Sequence, residues 1–310
     1  MPCSLVGALV RALEPTGPRL DFGAAMGHSA VAFATYFARP QTYAADPACR
    51  GEDALHQRKL VEACGYGQQT VWLSNEAAFR QVAPVVVESL RKGVPVVALG
   101  LDGDDEWGLI VGAEHGGATL LANTYAAGEG RPVRNAARAL IFLIRGTGNS
   151  RERWDLIFDA LCTAAKLAKE EPVGGRHLPA HESGLGAYEA WIEYLRDHFK
   201  RQQSPSLPDH LGNARSFDAL IHRRRAAASY LIEYAGVLGP ESRVYIERAA
   251  MTYEALTRLL TGARLQCAPY PTEGAWLLEM HLVQADILQT ALTHEREALA
   301  HIGSAIEHAQ

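Results

Sequence analysis

Two adjacent residues, His28 and Ser29, have the side-chain types best suited to catalysis in this chain. A serine hydroxyl becomes a nucleophile when a base removes its proton, and Glu106 could act as that base or orient it. The same serine precedes a strongly apolar stretch, residues 29–37, where it could simply cap a helix. Adjacent helical residues point in different directions, so the histidine need not reach the hydroxyl. Both roles are compatible with the sequence, and we expect the capping role.

Two further groups have the residue types of a metal site. His177 and His181 are four residues apart and precede Glu182, a spacing that binds metal ions when it lies on a helix. Pro179 lies between the two histidines and favours a loop instead. The acidic segment 102–106 is rich in Asp and Gly, which is typical of a tight turn facing solvent. We therefore predict no metal site and no cofactor.

Short apolar runs with Gly and Pro between them predict a series of strands in the first half of the chain. The central three runs cover residues 94–99, 109–111 and 119–122. Further runs at 70–73 and 140–144 have the same character. Because consecutive runs are joined by short polar turns, we expect neighbouring strands to be antiparallel.

Helices are predicted wherever apolar residues recur at three- and four-residue spacing. One covers residues 75–91, with Ser74 as its N-cap, and another covers 29–37. After residue 150 the apolar stripes have helical spacing, which is the pattern of an all-α bundle. We therefore predict an α+β domain over residues 1–150 and a helical domain over 151–310, with no strand beyond residue 160.

The helical half contains a basic run, residues 223–225, which we interpret as a solvated or salt-bridged helix face. It also contains many aromatic residues at helical spacing. Such residues usually pack in a core, although aromatic side chains with a polar end also line small-molecule pockets.

The segment 22–33, with the sequence FGAAMGHSAVAF, resembles a loop-to-helix junction of the bacteriocin-processing cysteine peptidases and the start of the butirosin-biosynthesis H family. Segments 60–66, 90–96 and 108–112 are similar to the same pattern, and 220–226 would fall in a central helix of that family's helical domain. The resemblance implies a papain-like fold for the α+β domain. In that fold a nucleophilic Cys begins a long buried helix, a His begins the second strand, and an Asp or Asn ends the third.

The catalytic residues that the resemblance implies are replaced in this chain. Residues 27–29 stand where the Cys belongs, and Asn123 stands at the end of the third strand. Glu106 or Trp107 occupies the position of the His. A thiolate–imidazolium pair needs both members, so we predict that cysteine peptidase chemistry is absent. Successive strand residues point to opposite faces, and we expect the large apolar Trp107 to be the buried one.

These considerations predict a protein that binds a partner rather than converting it. The partner would be a small molecule or a carrier protein, bound in the cleft between the two domains. The residues expected to bind it are Met26, His28, Ser29, Trp107 and Tyr125. The alternative is an acyl- or aminoacyl-transferring enzyme, or an amide hydrolase, of secondary metabolism. Its candidate catalytic residues are His28, Ser29, Glu106 and Asn123.

The composition argues against several other classes of protein. A net charge of −5 over 310 residues argues against nucleic acid as a partner, because phosphate binding relies on an excess of Lys and Arg. No apolar run reaches the roughly 20 residues that span a bilayer, so we expect no membrane partner. Five scattered cysteines without a CxxC spacing predict reduced thiols and a cytoplasmic location. A second copy of the chain, forming a homo-oligomer, is a further candidate partner.

Overall fold

The computed structural model describes residues 3–15, 20–38, 54–103, 106–115, 119–124, 128–133, 137–146, 151–169, 181–202 and 205–309. These residues form two compact units, divided after Arg151 and therefore close to the predicted boundary. The first unit draws its described residues from 3–25 and 54–151, and the second from 26–38 and 152–309. Residues 26–38 were expected in the α+β domain and instead belong to the helical unit, because their backbone packs and bonds with its helices.

The helices and strands are as follows. The helices are α1 (Ser4–Leu13), α2 (Phe22–His28), α3 (Ala54–Ala63), α4 (Glu76–Arg91), α5 (Arg153–Ala168), α6 (Gly184–Lys200), α7 (Leu207–Tyr234), α8 (Pro240–Cys267) and α9 (Leu278–Glu307). The strands are β1 (Tyr36–Ala38), β2 (Tyr66–Trp72), β3 (Val96–Leu99), β4 (Trp107–Glu114), β5 (Thr119–Thr124), β6 (Gly128–Val133), β7 (Ala139–Arg145) and β8 (His181–Ser183). Together they give an α+β chain whose sheet is followed by a helical region, as predicted.

The first unit is built on a six-stranded antiparallel sheet with the strand order β2-β7-β3-β4-β5-β6. Every residue of the central strand β3 is buried, because helices cover both faces of the sheet. On one face α4 packs against a core that includes Val96, Ala98 and Ile110. The alternate residues of the central strands face the other way, where α1 contacts β3 and β4.

Helix α4 confirms the helix predicted over residues 75–91. Val86 is fully buried against the sheet, and Phe79 and Val82 pack beside it at helical spacing. The predicted N-cap was wrong by one position. Asn75 caps the helix, since its side-chain oxygen accepts a 2.9 Å hydrogen bond from the backbone N–H of Ala78.

The helix predicted over residues 29–37 is not formed. Helix α2 ends at His28, where the prediction has a helix beginning, and Ala30 adopts a left-handed conformation with φ of 59°. A short 3₁₀ turn, Val31–Phe33, leads into β1. Strand β1 pairs antiparallel with β8, so the expectation of no strand beyond residue 160 was also wrong. A strand of three residues, such as β8, is too short to show an apolar periodicity in the sequence. It forms here because its partner strand lies beside it.

The second unit is a helical bundle around α9, which contacts α5, α6 and α8. Within the basic run 223–225 only Arg225 is exposed, because Arg223 and Arg224 are both buried and do not belong to a solvated face. Arg224 satisfies the salt-bridge part of the prediction, since its Nε lies 2.6 Å from Oε2 of Glu295 on α9. Among the helices that the structure describes, none has the length and apolar character needed to cross a membrane.

Candidate functional site

The α+β unit contains a pocket of about 230 Å³ between α1 and the sheet. Its wall is formed by small residues of α1, by the start of β4 and by the facing ends of β5 and β6. The lining residues are Gly7, Ala8 and Arg11, then Trp107, Gly108 and Leu109, then Asn123 and Thr124, and finally Gly128 and Glu129.

The pocket exists because α1 has small residues where a helix rich in Leu and Val would otherwise fill the space. Gly7 and Ala8 follow one another on a helix that is otherwise largely bulky and apolar. A glycine inside a helix lowers the stability of that helix by about 0.5–1 kcal/mol relative to alanine. Gly7 therefore leaves space beside the sheet at a cost in helix stability. The hydroxyl of Ser4 accepts a 3.2 Å hydrogen bond from the backbone N–H of Trp107 and thereby ties the start of α1 to β4.

The strand side of the pocket depends on a close approach of β4 and β5. A Cβ atom at Gly108 would lie 2.7 Å from the carbonyl oxygen of Asn123, so only glycine permits this spacing. Beyond this point the pairing of β5 with β6 is irregular between Ala122 and Thr124. Asn123 lies at the irregularity, where its Oδ1 accepts a 2.7 Å hydrogen bond from the backbone N–H of Gly130.

Two opposite charges line the pocket and also face solvent. Arg11 on α1 and Glu129 on β6 have side chains that are 54% and 82% exposed, and their closest charged atoms are 4.0 Å apart. An exposed pair at this distance contributes little to stability, because water screens both charges. Both groups therefore remain available to a ligand.

Trp107 and Glu106 have the burial that the alternation of a strand predicts. Trp107 is 1% exposed and Glu106 is exposed. The indole Nε1 has no hydrogen-bond partner among the described residues. Of the predicted site residues, Trp107 and Asn123 line the pocket, whereas Tyr125 lies outside the described residues.

The remaining predicted site residues, Met26, His28 and Ser29, belong to the helical unit. The Ser29 hydroxyl is completely buried and donates a 3.1 Å hydrogen bond to the carbonyl oxygen of Met26. It also accepts a 3.4 Å bond from the backbone N–H of Val31, so it supports the 3₁₀ turn rather than the start of a long helix.

His28 packs against two tyrosines of α7. Its Nδ1 lies 3.1 Å from the hydroxyl of Tyr230, and its ring meets the rings of Tyr230 and Tyr234 edge-on. Burial raises the pKa of the Tyr230 hydroxyl well above its ordinary value, so this group stays protonated. Gly27 allows the contact, because a Cβ atom there would lie 2.0 Å from the tyrosine ring.

Cys3 directly precedes α1, at a helix N-terminus that would favour a thiolate. Its side chain is only 1% exposed, however, and it makes no capping hydrogen bond to the start of the helix. A nucleophilic thiol needs a base within hydrogen-bond reach and access to substrate. The thiol of Cys3 has the surroundings of a packing residue.

The candidate metal ligands do not come together in the described structure. His181 and Glu182 lie on β8 rather than on a helix, and His177 falls outside the described residues. At the start of the acidic segment, Leu101–Gly103 form a 3₁₀ turn, whereas residues 104 and 105 lie outside the described residues. Within the described residues there is no group of three His, Cys, Asp or Glu side chains that could hold a metal ion.

Comparison with known proteins adds no relative to this picture, since no protein-family model and no curated protein matches the chain. The sequence analysis missed the contribution of α1 to the pocket. The available signal was the pair Gly7-Ala8 within a run of larger apolar residues. Nothing in the sequence indicated that Arg11 and Glu129 lie close together, because only the fold brings them together.

Proposed function

We propose that this protein binds a small molecule in the pocket between α1, β4 and β5 and does not convert it. The observation that carries the proposal is the glycine and alanine lining. Gly7 and Ala8 leave space beside the buried Trp107, and Gly108 lets the strands close the floor. Concave sites with mostly apolar walls and a few polar groups are typical of small-molecule binding.

We propose binding without catalysis because of the surroundings of the two candidate nucleophiles, Ser29 and Cys3. The Ser29 hydroxyl is buried and already donates to a backbone carbonyl, and the Cys3 thiol is buried. Neither arrangement has the exposed nucleophile and oriented base that acyl transfer requires. The acyltransferase or amide hydrolase alternative gains no support from these contacts. A carrier protein and a second copy of the chain are also predicted partners. No contact among the described residues supports either of them.

We also propose a papain-like origin for the α+β unit, related to the butirosin H-like proteins. Support comes from β3, β4 and β5, which are consecutive, adjacent and antiparallel in the order that the resemblance implies. The end of α2 at His28 speaks against the predicted position of the nucleophile helix. For the location of the protein we propose the cytoplasm, in keeping with the free thiols of all four described cysteines.

The binding proposal is tested with 2-phenylethanol, a neutral probe, in a titration followed by ligand-detected NMR. Ala8→Leu should fill the pocket and weaken binding of the probe by about tenfold or more. Ala77→Leu is the matched control, because Ala77 lies exposed on α4 of the same unit. Equal affinity of the two variants for the probe, with both folded by circular dichroism, would refute the proposed site.

A further inference from the structure

We infer that the ligand of this pocket is a small zwitterion, an amino acid with an apolar side chain, held by Arg11 through its carboxylate and by Glu129 through its ammonium group. The inference rests on the proposed function and specifies its ligand. It follows from the placement of one positive and one negative side chain beside a small apolar pocket.

The first step concerns the charges. Within the described chain Arg11 and Glu129 have each other as charged partners, at 4.0 Å, and neither makes a closer polar contact. A 4.0 Å separation leaves both groups short of full hydrogen-bond geometry. A ligand that carries a carboxylate and an ammonium group can supply each side chain with a charge-assisted hydrogen bond, and a guanidinium can hold a carboxylate with two such bonds.

The second step concerns Asn123, a polar side chain that lines the same pocket. The Oδ1 atom of Asn123 is already occupied by the backbone N–H of Gly130, which fixes the orientation of the amide. Its Nδ2 group donates to no described residue. This amide can therefore give a second hydrogen bond to a ligand carboxylate held by Arg11.

The third step concerns the body of the ligand. Ala8, Trp107 and Leu109 present apolar surface in the pocket, and the volume of about 230 Å³ suits a single side chain rather than a peptide. Burial of an apolar side chain there supplies affinity in proportion to the surface removed from water.

Other ligand classes fit less well. A ligand with only negative charge would be repelled by Glu129, and a ligand with only positive charge would be repelled by Arg11. A neutral ligand would use the apolar wall but gain nothing from either charge. A zwitterion alone complements the pair, since it matches both signs and leaves the net charge of the site unchanged.

The test compares four probes that share one phenylethyl body at pH 7. L-phenylalanine carries both charges, 3-phenylpropanoate only the carboxylate, 2-phenylethylamine only the ammonium group, and 2-phenylethanol neither. We expect L-phenylalanine to bind about tenfold more tightly than 2-phenylethanol, because two exposed ion pairs together contribute roughly that factor.

The variants should give a crossed pattern. Arg11→Ala should weaken L-phenylalanine and 3-phenylpropanoate, and Glu129→Ala should weaken L-phenylalanine and 2-phenylethylamine. Both changes should leave 2-phenylethanol unaffected. Arg91→Ala, which removes a 72% exposed arginine from α4 of the same unit, is the control and should change none of the four affinities.

The two proposals fail in different ways. If 2-phenylethanol binds in an Ala8-dependent manner but L-phenylalanine binds no more tightly, the zwitterion inference is overturned and the pocket proposal stands. Tight binding of L-phenylalanine that is insensitive to Arg11→Ala and Glu129→Ala also overturns the inference. If Ala8→Leu leaves the binding of 2-phenylethanol and L-phenylalanine unchanged, the pocket itself is refuted.

Discussion

Arg224 on α7 and Glu295 on α9 form an ion pair that is completely enclosed by the helical unit. The Nε atom of the guanidinium lies 2.6 Å from the carboxylate, and the two side chains are 0% and 4% exposed. Tyr188 and Tyr253 donate hydrogen bonds of 3.0 and 3.1 Å to the same carboxylate. The guanidinium also donates to the carbonyl oxygen of Ala32 at 2.9 Å. The pair and the two tyrosines therefore join four helices, α6 to α9, and the segment that follows α2 into one polar network.

We expect Glu295→Gln to destabilise the protein strongly, because it leaves the buried charge of Arg224 without a counter-charge. Removal of one partner of a buried pair typically costs about 3–5 kcal/mol in the free energy of unfolding. Urea denaturation measures the loss. The control is Glu247→Gln, since Glu247 pairs with Arg243 on the exposed face of α8 and should cost less than about 1 kcal/mol. Similar losses for the two variants would contradict the role given to the buried pair.

Gly27→Ala should destabilise the helical unit, because the new methyl group would lie 2.0 Å from the ring of Tyr230. Overpacking of this kind typically costs about 1–3 kcal/mol. Gly262→Ala on α8 is the matched control. Its Cβ would meet no atom within 4 Å, and the helix should gain up to about 1 kcal/mol. Chemical denaturation should therefore give opposite signs, and a neutral Gly27→Ala would show that the Tyr230 ring moves freely.

The stability of the protein should fall as the pH decreases from about 6.5 towards 4. His281 is fully buried and both of its ring nitrogens lack a hydrogen-bond partner among the described residues. Burial first, and then the neighbouring His198, lower its pKa from 6.5 to about 4. The unfolded chain binds this proton more tightly than the folded one, so stability is complete above pH 7 and declines on acidification, by at most about 3 kcal/mol.

His281→Leu removes this proton-binding site and should flatten the curve of unfolding free energy against pH between 6.5 and 4. The ring of Trp276 lies 4.2 Å from that of His281, so its fluorescence offers a local readout of the transition. His294→Leu, on a more exposed part of α9, should retain the decline. A decline of equal size in all three proteins would assign the acid sensitivity to other groups.

Cys3 should react slowly with iodoacetamide in the native protein at pH 7. Its side chain is buried and therefore inaccessible to the reagent. Cys64 and Cys267 should react slowly too, because burial raises the pKa of the Cys64 thiol to about 11 and that of the Cys267 thiol to about 12 and keeps both protonated. Cys162 is partly exposed and should be labelled at least about ten times faster than Cys3. Peptide mapping by mass spectrometry gives the four rates separately. Rapid labelling of Cys3 would reveal an accessible thiolate and favour the enzyme alternative.

The sequence by itself determined the elements whose periodicity is local. Alternating and short apolar runs predicted five of the six strands of the antiparallel sheet, all but β6, whose sequence is polar and glycine-rich. Apolar spacing predicted the helix at 75–91 and the helical region after residue 150. The burial of Trp107 also followed from sequence, because a strand directs successive side chains to opposite faces. These features depend on residues that are neighbours along the chain.

The tertiary structure decided the features that depend on residues far apart in sequence. Strand β1 exists through its pairing with β8, although an apolar run alone favoured a helix there. Arg224 is buried because a carboxylate on another helix and the carbonyl of Ala32 compensate its charge. The pocket likewise required α1 to meet the ends of three strands, which placed Arg11 near Glu129. Local spacing specifies which face of an element is apolar, but only packing specifies what lies opposite it.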